Sequence, residues 1–311
     1  MPSKEALPQW PVRPMPASAA SCFLTVLNVG VALLALPANR QCPLSNSAHR
    51  DGTEAFGWSR VSGKSRSGTL LTSQQAPTDG GLQGTWLAVD VDGTIADGHG
   101  VPWLTRQVLG SARKAGAWVI LASGRRPSYL RALAATCRLE SPLVALDGAW
   151  VEDASGVLFS RTTISATQLD ALERVAWHYG LQVFPVTEQD CCLKVLLVGE
   201  ADASSAAVAS LPMGTRAVNR FLRQTEIVAE RVSKGYGFLR LFERYGRPRR
   251  MVAFGNDWND REMFEVADTA YALPSAPPAV QALADAVLEP IATQPVARMV
   301  DHLIHPLKDP S

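Results

Sequence analysis

The chain has 311 residues, 30 Lys and Arg against 29 Asp and Glu, and 47% apolar residues, more than one small module needs and enough for two packed domains. A disordered acidic or basic tail protein is excluded by these figures. The net charge of +1 is unevenly spread: residues 1–85 carry 7 basic and 4 acidic side chains, leaving 23 and 25 for the rest. Neither part has the basic excess of a nucleic-acid surface. The five cysteines, Cys22, Cys42, Cys137, Cys191 and Cys192, are odd in number. The adjacent pair cannot easily bridge with itself or make a Cys-x-x-Cys metal knuckle, so free thiols in a reducing compartment are expected.

No charge occurs between Arg13 and Arg40, and Cys22 to Leu36 is a 15-residue run rich in Leu, Val and Ala behind Lys4 and Arg13. It is closer to a signal-peptide core than to a spanning helix, which needs about 20 apolar residues. Asn28 and Gly30 interrupt it, and Ala38, with Leu36 two places before it, makes a poor cleavage site. Three readings of segment 18–38 stay open: a non-structural extension, a targeting or anchor segment, or a structured element. The expected location is cytoplasmic, with export or tethering as the alternative, and a membrane is a partner only if the segment is an uncleaved anchor. Cys42 to Gly84, rich in Pro, Ser, Gly and Gln without a period of 2 or 3.6, reads as linker or disorder. Residues 1–85 are therefore read as an N-terminal extension.

From Trp86 onward apolar strands alternate with helices, the signature of an open, doubly wound α/β sheet. Strands are expected at 86–91, 117–123 and 142–150, with a helix over 102–115 closed by Gly116 and another opened by Pro127 and Ser128. Late in the chain come a strand at 249–255, a helix at 259–267, a short strand at 271–273, and helices near 277–284 and 295–304. Both ends then form one core, 86–150 plus 232–311. Between them, strands at 157–161, 181–186, 192–199, 215–222 and 226–232 interleave with helices at 166–179 and 201–209. That is an inserted α+β unit over 151–231, an antiparallel sheet with helices on one face. Placed over the carboxyl ends of parallel strands, it is expected to act as a cap.

Four elements carry chemistry. Asp90, Asp92, Gly93 and Thr94 end the first strand; residues two apart in an extended chain point the same way, so both carboxylates can face one point, with Gly93 permitting the exit. Such a pair suits a divalent cation, a nucleophile and a proton carrier, against the plainer reading of an Asx turn at Asp92. Ser123, Gly124, Arg125 and Arg126 end the second strand, where a hydroxyl, backbone amides and guanidinium groups can hold a phosphate, although Ser-Gly after a strand is usually only a turn. Lys234, where the chain returns to the core, can neutralise a phosphoryl group or simply start a solvated helix. Asn256, Asp257, Asn259 and Asp260, beyond another buried strand, supply the oxygens of a hard-cation ligand set, with helix capping as the alternative.

The combination DVDGT at 90–94, ASGR at 122–125, VSKG at 232–235 and GNDWNDREMF at 255–264 resembles the haloacid dehalogenase superfamily, specifically its Cof-type phosphatases with a class IIB cap. LDGAWVEDASGVLFS (146–160) is similar to that family's segment at the start of the cap, and the resemblance runs from about Trp86 to the C-terminus. It implies a Mg²⁺-dependent hydrolase of small phosphorylated metabolites, sugar phosphates among them. Asp90 would attack phosphorus and form an aspartyl-phosphate, while Asp92 would protonate the leaving oxygen and then activate water. Mg²⁺ would be held by Asp90, Asp92 through its carbonyl, Asn256 and Asp260. Ser123, Gly124, Lys234 and Asn259 would bind the phosphoryl oxygens, with Arg125 and Asp147 at the substrate and cap edge.

Two residues depart from the family pattern. Asn256 stands where an Asp is usual, so it can ligate but brings no charge, and either the metal affinity falls or Asp260 takes the larger share of the metal. Asp147 stands where Asn is common. The alternatives are a phosphosugar mutase of the same superfamily, or a non-catalytic member that binds a phosphorylated ligand. The oligomeric state is not legible.

Overall fold

The computed structural model describes residues 81–221 and 223–306; segment 18–38 and the stretch 42–80 lie outside the described residues. The first half of the core alternates β1 (Thr85–Val89), α1 (Trp103–Lys114), β2 (Trp118–Ala122), α2 (Pro127–Thr136) and β3 (Leu143–Ala145). Then come β4 (Trp150–Glu152) and β5 (Leu158–Arg161). The inserted unit holds α3 (Ala166–Tyr179), β6 (Gln182–Glu188), β7 (Cys191–Val198), α4 (Ala201–Val208), β8 (Thr215–Phe221) and β9 (Gln224–Ala229). The return adds α5 (Lys234–Tyr245), β10 (Arg250–Gly255), α6 (Arg261–Val266), β11 (Thr269–Ala272), α7 (Pro278–Gln281), β12 (Ala286–Val287) and α8 (Pro295–Ile304).

The large sheet has eight strands in the order β12-β11-β10-β1-β2-β3-β4-β5. It is parallel from β12 to β3 and antiparallel at β4 and β5. Period-two alternation divides its core. Leu87, Val89, Val119, Leu121, Val252 and Phe254 pack on one face with Leu109, Leu130 and Val300 from α1, α2 and α8. Ala88, Ile120, Met251 and Ala253 pack on the other with Phe238, Leu241, Met263 and Val280 from α5, α6 and α7. Strands buried on both faces explain the continuous apolar runs in the sequence. The smaller sheet, order β6-β7-β9-β8, is antiparallel. Its Val195, Leu197 and Ile227 are buried against Leu172, Ala176 and Ala207 of α3 and α4.

Two expectations are corrected. The apolar run 142–150 is a sharp reversal: β3 stops at Ala145, a 3-10 turn follows at Leu146–Gly148, and β4 runs back beside β3. Leu146, Asp147 and Gly148 all have positive φ, and a Cβ on Gly148 would meet Ser233 O at 2.0 Å, so the turn is wedged against the start of α5. Secondly, the strand at 157–161, assigned to the cap from sequence, pairs as β5 with β4 and extends the core sheet. The cause is a hairpin closed by Asp153, whose Oδ1 accepts from the backbone N–H groups of Ser155 and Val157. The four-stranded unit thus begins after Arg161, not at 151. The two-residue β12 was too short for any periodic signal.

Cys137 and Cys192 are free thiols, with burial pushing each up to about 11. Cys191 is disulfide-bonded, against the expectation of free thiols throughout. Among the described residues no helix is long and apolar enough to cross a membrane.

Candidate active site

Because β10, β1, β2 and β3 are neighbours and parallel, their carboxyl ends share one edge of the sheet. Val89 is level with Phe254 on one side and Leu121 on the other, so the residues that follow, Asp90, Gly255–Asn256 and Ser123, converge there. This is the edge at which open α/β sheets bind ligands.

Asp90 is buried and held at both carboxylate oxygens. Oδ1 accepts from Lys234 Nζ at 2.6 Å, and Oδ2 accepts from the Thr94 hydroxyl at 2.7 Å. Lys234, fully buried at the start of α5, also donates to Asp260 Oδ1 at 2.6 Å. Two carboxylates share one ammonium, so a negative charge is left over. Burial, and next the charge of Asp260, push Asp90 up to about 7 despite Lys234 and Thr94. Burial alone would lower Lys234, but the charges of Asp260, Asp90 and Asp147 raise it well above the usual lysine range. It is positioned because Ser233 caps α5, its Oγ accepting the Tyr236 N–H at 3.0 Å.

The Asn256 amide lies 3.1 Å from Asp90 Oδ2, the Asp92 carbonyl oxygen and Thr94 Oγ1. With its nitrogen turned inward it donates to these oxygens. With its oxygen inward, an all-oxygen group forms around one point, the ligand chemistry of Mg²⁺. The donor set therefore fits a hard cation. Gly93 is required here: its φ is +80° and a Cβ would sit 2.2 Å from the Asn256 amide. Among the described residues no three His, Cys, Asp or Glu side chains group as a metal site, so carbonyl and amide oxygens would supply much of the coordination. Asp260, expected as a ligand, has both oxygens engaged: Oδ1 by Lys234, Oδ2 by the backbone N–H groups of Asn256 (2.8 Å) and Asp257 (3.0 Å). It shapes the loop and orients Lys234.

Asp92 is exposed, in a bidentate pair with Arg125: Nε to Oδ2 at 2.9 Å and Nη2 to Oδ1 at 2.7 Å. The next arginine points elsewhere, as Arg126 Nη1 donates to Thr187 O and Glu188 on β6, both at 2.8 Å. Ser123 is buried, and its hydroxyl oxygen accepts the Arg125 N–H at 3.2 Å. Asp147 is fully buried beside Gly124; its Oδ1 accepts from Asn259 Nδ2 at 2.9 Å and its Oδ2 lies 2.6 Å from Lys194 Nζ. Burial works against the Asp147 carboxylate, yet the Lys194 and Lys234 charges hold it below the usual carboxylate range. Asp90, Asn256, Lys234 and Asp260 thus form one group, Asp92 and Arg125 a second, and Ser123, Gly124, Asp147 and Asn259 a third. Sequence reasoning assigned no role to Thr94, Lys194 or Glu226. A lysine inside the buried run LKVLLV was the available signal for Lys194.

The fold is an open α/β sheet with an inserted antiparallel unit, and its candidate chemical groups are gathered at the carboxyl edge of the parallel strands. A structure of a phosphatase of the haloalkanoate superfamily from Bacteroides thetaiotaomicron superposes with a TM-score of 0.64 at 19% identity, covering 75% of this chain and 99% of that one. A haloacid dehalogenase-like hydrolase from B. subtilis gives 0.62 at 19% identity, over 70% and 99%. A subclass IIB sugar phosphatase gives 0.62 at 18% identity, over 70% and 98%. The family model of the haloacid dehalogenase-like hydrolases matches residues 87–195 and 192–300. The chain belongs to that family.

Proposed function

We propose that this protein is a Mg²⁺-dependent phosphatase acting on small phosphorylated metabolites, sugar phosphates among them, through an aspartyl-phosphate on Asp90. The observation that carries this reading is the Asp90 carboxylate: buried at a strand end, held by Lys234 and Thr94, and facing the oxygens of Asp92 and Asn256. Asp90, Asp92 through its carbonyl and Asn256 would hold Mg²⁺, which when bound neutralises phosphoryl charge and favours the ionised Asp90. Lys234 offsets charge that builds on the phosphoryl oxygens, while Ser123, the Gly124 turn and Asn259 orient them. Asp92 serves as acid and then base only once Arg125 releases it. A phosphoryl dianion offers Arg125 an alternative bidentate partner, so substrate arrival itself would free the proton carrier.

The test uses the full chain with Mg²⁺ and p-nitrophenyl phosphate. Release of free phosphate that disappears in Asp90→Asn and on chelation is expected; equal rates for wild type and Asp90→Asn would defeat the reading. Phosphoryl transfer to a second hydroxyl without free phosphate would instead indicate mutase chemistry. One observation favours a second reading, a non-catalytic phospho-ligand binder: the Asn256 amide can satisfy the oxygens around Asp90 without a cation. Binding of inorganic phosphate with no turnover of any phosphate ester would support it.

A further inference from the structure

Lys194 comes from the middle of β7, on the face opposite Val195 and Leu197, and points into the core. Three oxygens surround its ammonium: Gly124 O at 3.1 Å, Asp147 Oδ2 at 2.6 Å and Glu226 Oε2 at 3.0 Å. Gly124 O and Glu226 Oε2 accept hydrogen bonds from it, whereas Asp147 Oδ2 is an ion-pair partner without hydrogen-bond geometry, and these groups enclose the ammonium, which is 2% exposed. Its effect must pass through the groups it touches. Gly124 belongs to the strand-to-helix turn beside Ser123, and the Asp147 backbone N–H donates to Ser123 O at 3.1 Å. Asp147 in turn accepts from Asn259 Nδ2, and a carboxylate can only accept, so it fixes which way that amide faces. Asn259 Oδ1 is left buried without a hydrogen-bond partner.

We propose that Lys194 is a positioning residue of the active site: supplied by the cap, it balances the Asp147 carboxylate and thereby locks the Ser123–Gly124 turn and the Asn259 amide in the form that receives the phosphoryl group. Without it, Asp147 is an unpaired buried charge. It must then take up a proton or draw in water, and a protonated Asp147 can donate to Asn259 Oδ1 and turn the amide over. The ion pair also accounts for an acid at 147 where the family resemblance leads one to expect Asn. The functional half of the proposal rests on the phosphatase reading; the structural half does not.

The experiment compares full-length wild type, Lys194→Met, Asp147→Asn and the double variant. Hydrogen exchange, which needs no activity, should show the Arg125 and Asp147 amides exchanging about tenfold faster in Lys194→Met while β1 and β10 are unchanged. With p-nitrophenyl phosphate and Mg²⁺, Lys194→Met should raise KM about tenfold with kcat within about threefold, and the same change in the Asp147→Asn background should cost less than about threefold. Unchanged exchange, an unchanged KM, or equal losses in both backgrounds would overturn the proposal. If Lys194→Met does not fold, the double variant against Asp147→Asn decides: near-identity supports the coupling and a large further loss refutes it. If wild type hydrolyses nothing, the phosphatase reading fails, and exchange alone judges the coupling.

Discussion

Asn256 replaces a charge with an amide at the point where oxygens from Asp90, Asp92 and Thr94 meet. An amide oxygen can ligate Mg²⁺, but a carboxylate there would add full Coulomb attraction at the same distance. Asn256→Asp is therefore expected to leave the fold intact and tighten Mg²⁺ binding about tenfold, measured by calorimetry. Equal affinity would remove Asn256 from the ligand set. Asp90 provides a pH signature in chelator. Its ordinary value of 3.8 is raised to about 7 in the folded protein, first by burial and then by Asp260. The native state then binds that proton more tightly than the unfolded chain does, so ionised Asp90 costs stability as pH rises from about 4 through about 7. Asp90→Asn should gain stability relative to wild type over that window and hold the gain above it. Urea denaturation across the range measures this, and a pH-independent difference would mean that Asp90 is not raised.

The element that departs furthest from its sequence reading is the reversal between β3 and β4. Gly148 has φ +96° and no room for a Cβ, since Ser233 O would lie 2.0 Å from it. Gly156, in the β4–β5 hairpin, also has positive φ (+79°) but nothing within 4 Å. The pair separates backbone strain from steric conflict. Gly156→Ala should cost about 1 kcal/mol, and Gly148→Ala more than about 3 kcal/mol, because strain and clash add and displace the start of α5 that carries Lys234. Equal costs in denaturant unfolding would show that the turn is not wedged. The apolar residues of 142–150 looked like one strand because β3 and β4 are both buried, and burial hides a reversal that only three successive positive φ values reveal.

At the scale of the whole molecule, polar contacts of unequal kind join the cap to the core among the described residues. Arg126 reaches Thr187 O and Glu188, Arg216 reaches Glu262 and Val232 O, and Lys194 reaches Gly124 and Asp147. The two arginine pairs are partly solvated, with side chains about a quarter to a third exposed, whereas Lys194 and Asp147 are 2% and 0% exposed. Arg126→Ala and Arg216→Ala should each cost about 1 kcal/mol or less. Together they should loosen the cap, seen as a larger radius of gyration in small-angle scattering and faster proteolysis of the links at 162–165 and 230–233. Unaltered scattering and proteolysis would mean that apolar contacts hold the cap.

Period and composition alone determined the α/β core, the inserted antiparallel unit and three of the four chemical elements at strand ends. Those properties are local: apolar runs, turn residues, and the alternation that sets which residues lie at a strand's end. What the tertiary structure decided is which groups meet. Asp260 faces Lys234 and the loop amides, where the sequence suggested a metal ligand. Asp92 is paired with Arg125, and Asp147 is matched by a lysine 47 positions later in the cap. Burial makes such pairings decisive, because a charge removed from water must find its partner nearby, and contact in space between distant segments leaves no period in the sequence.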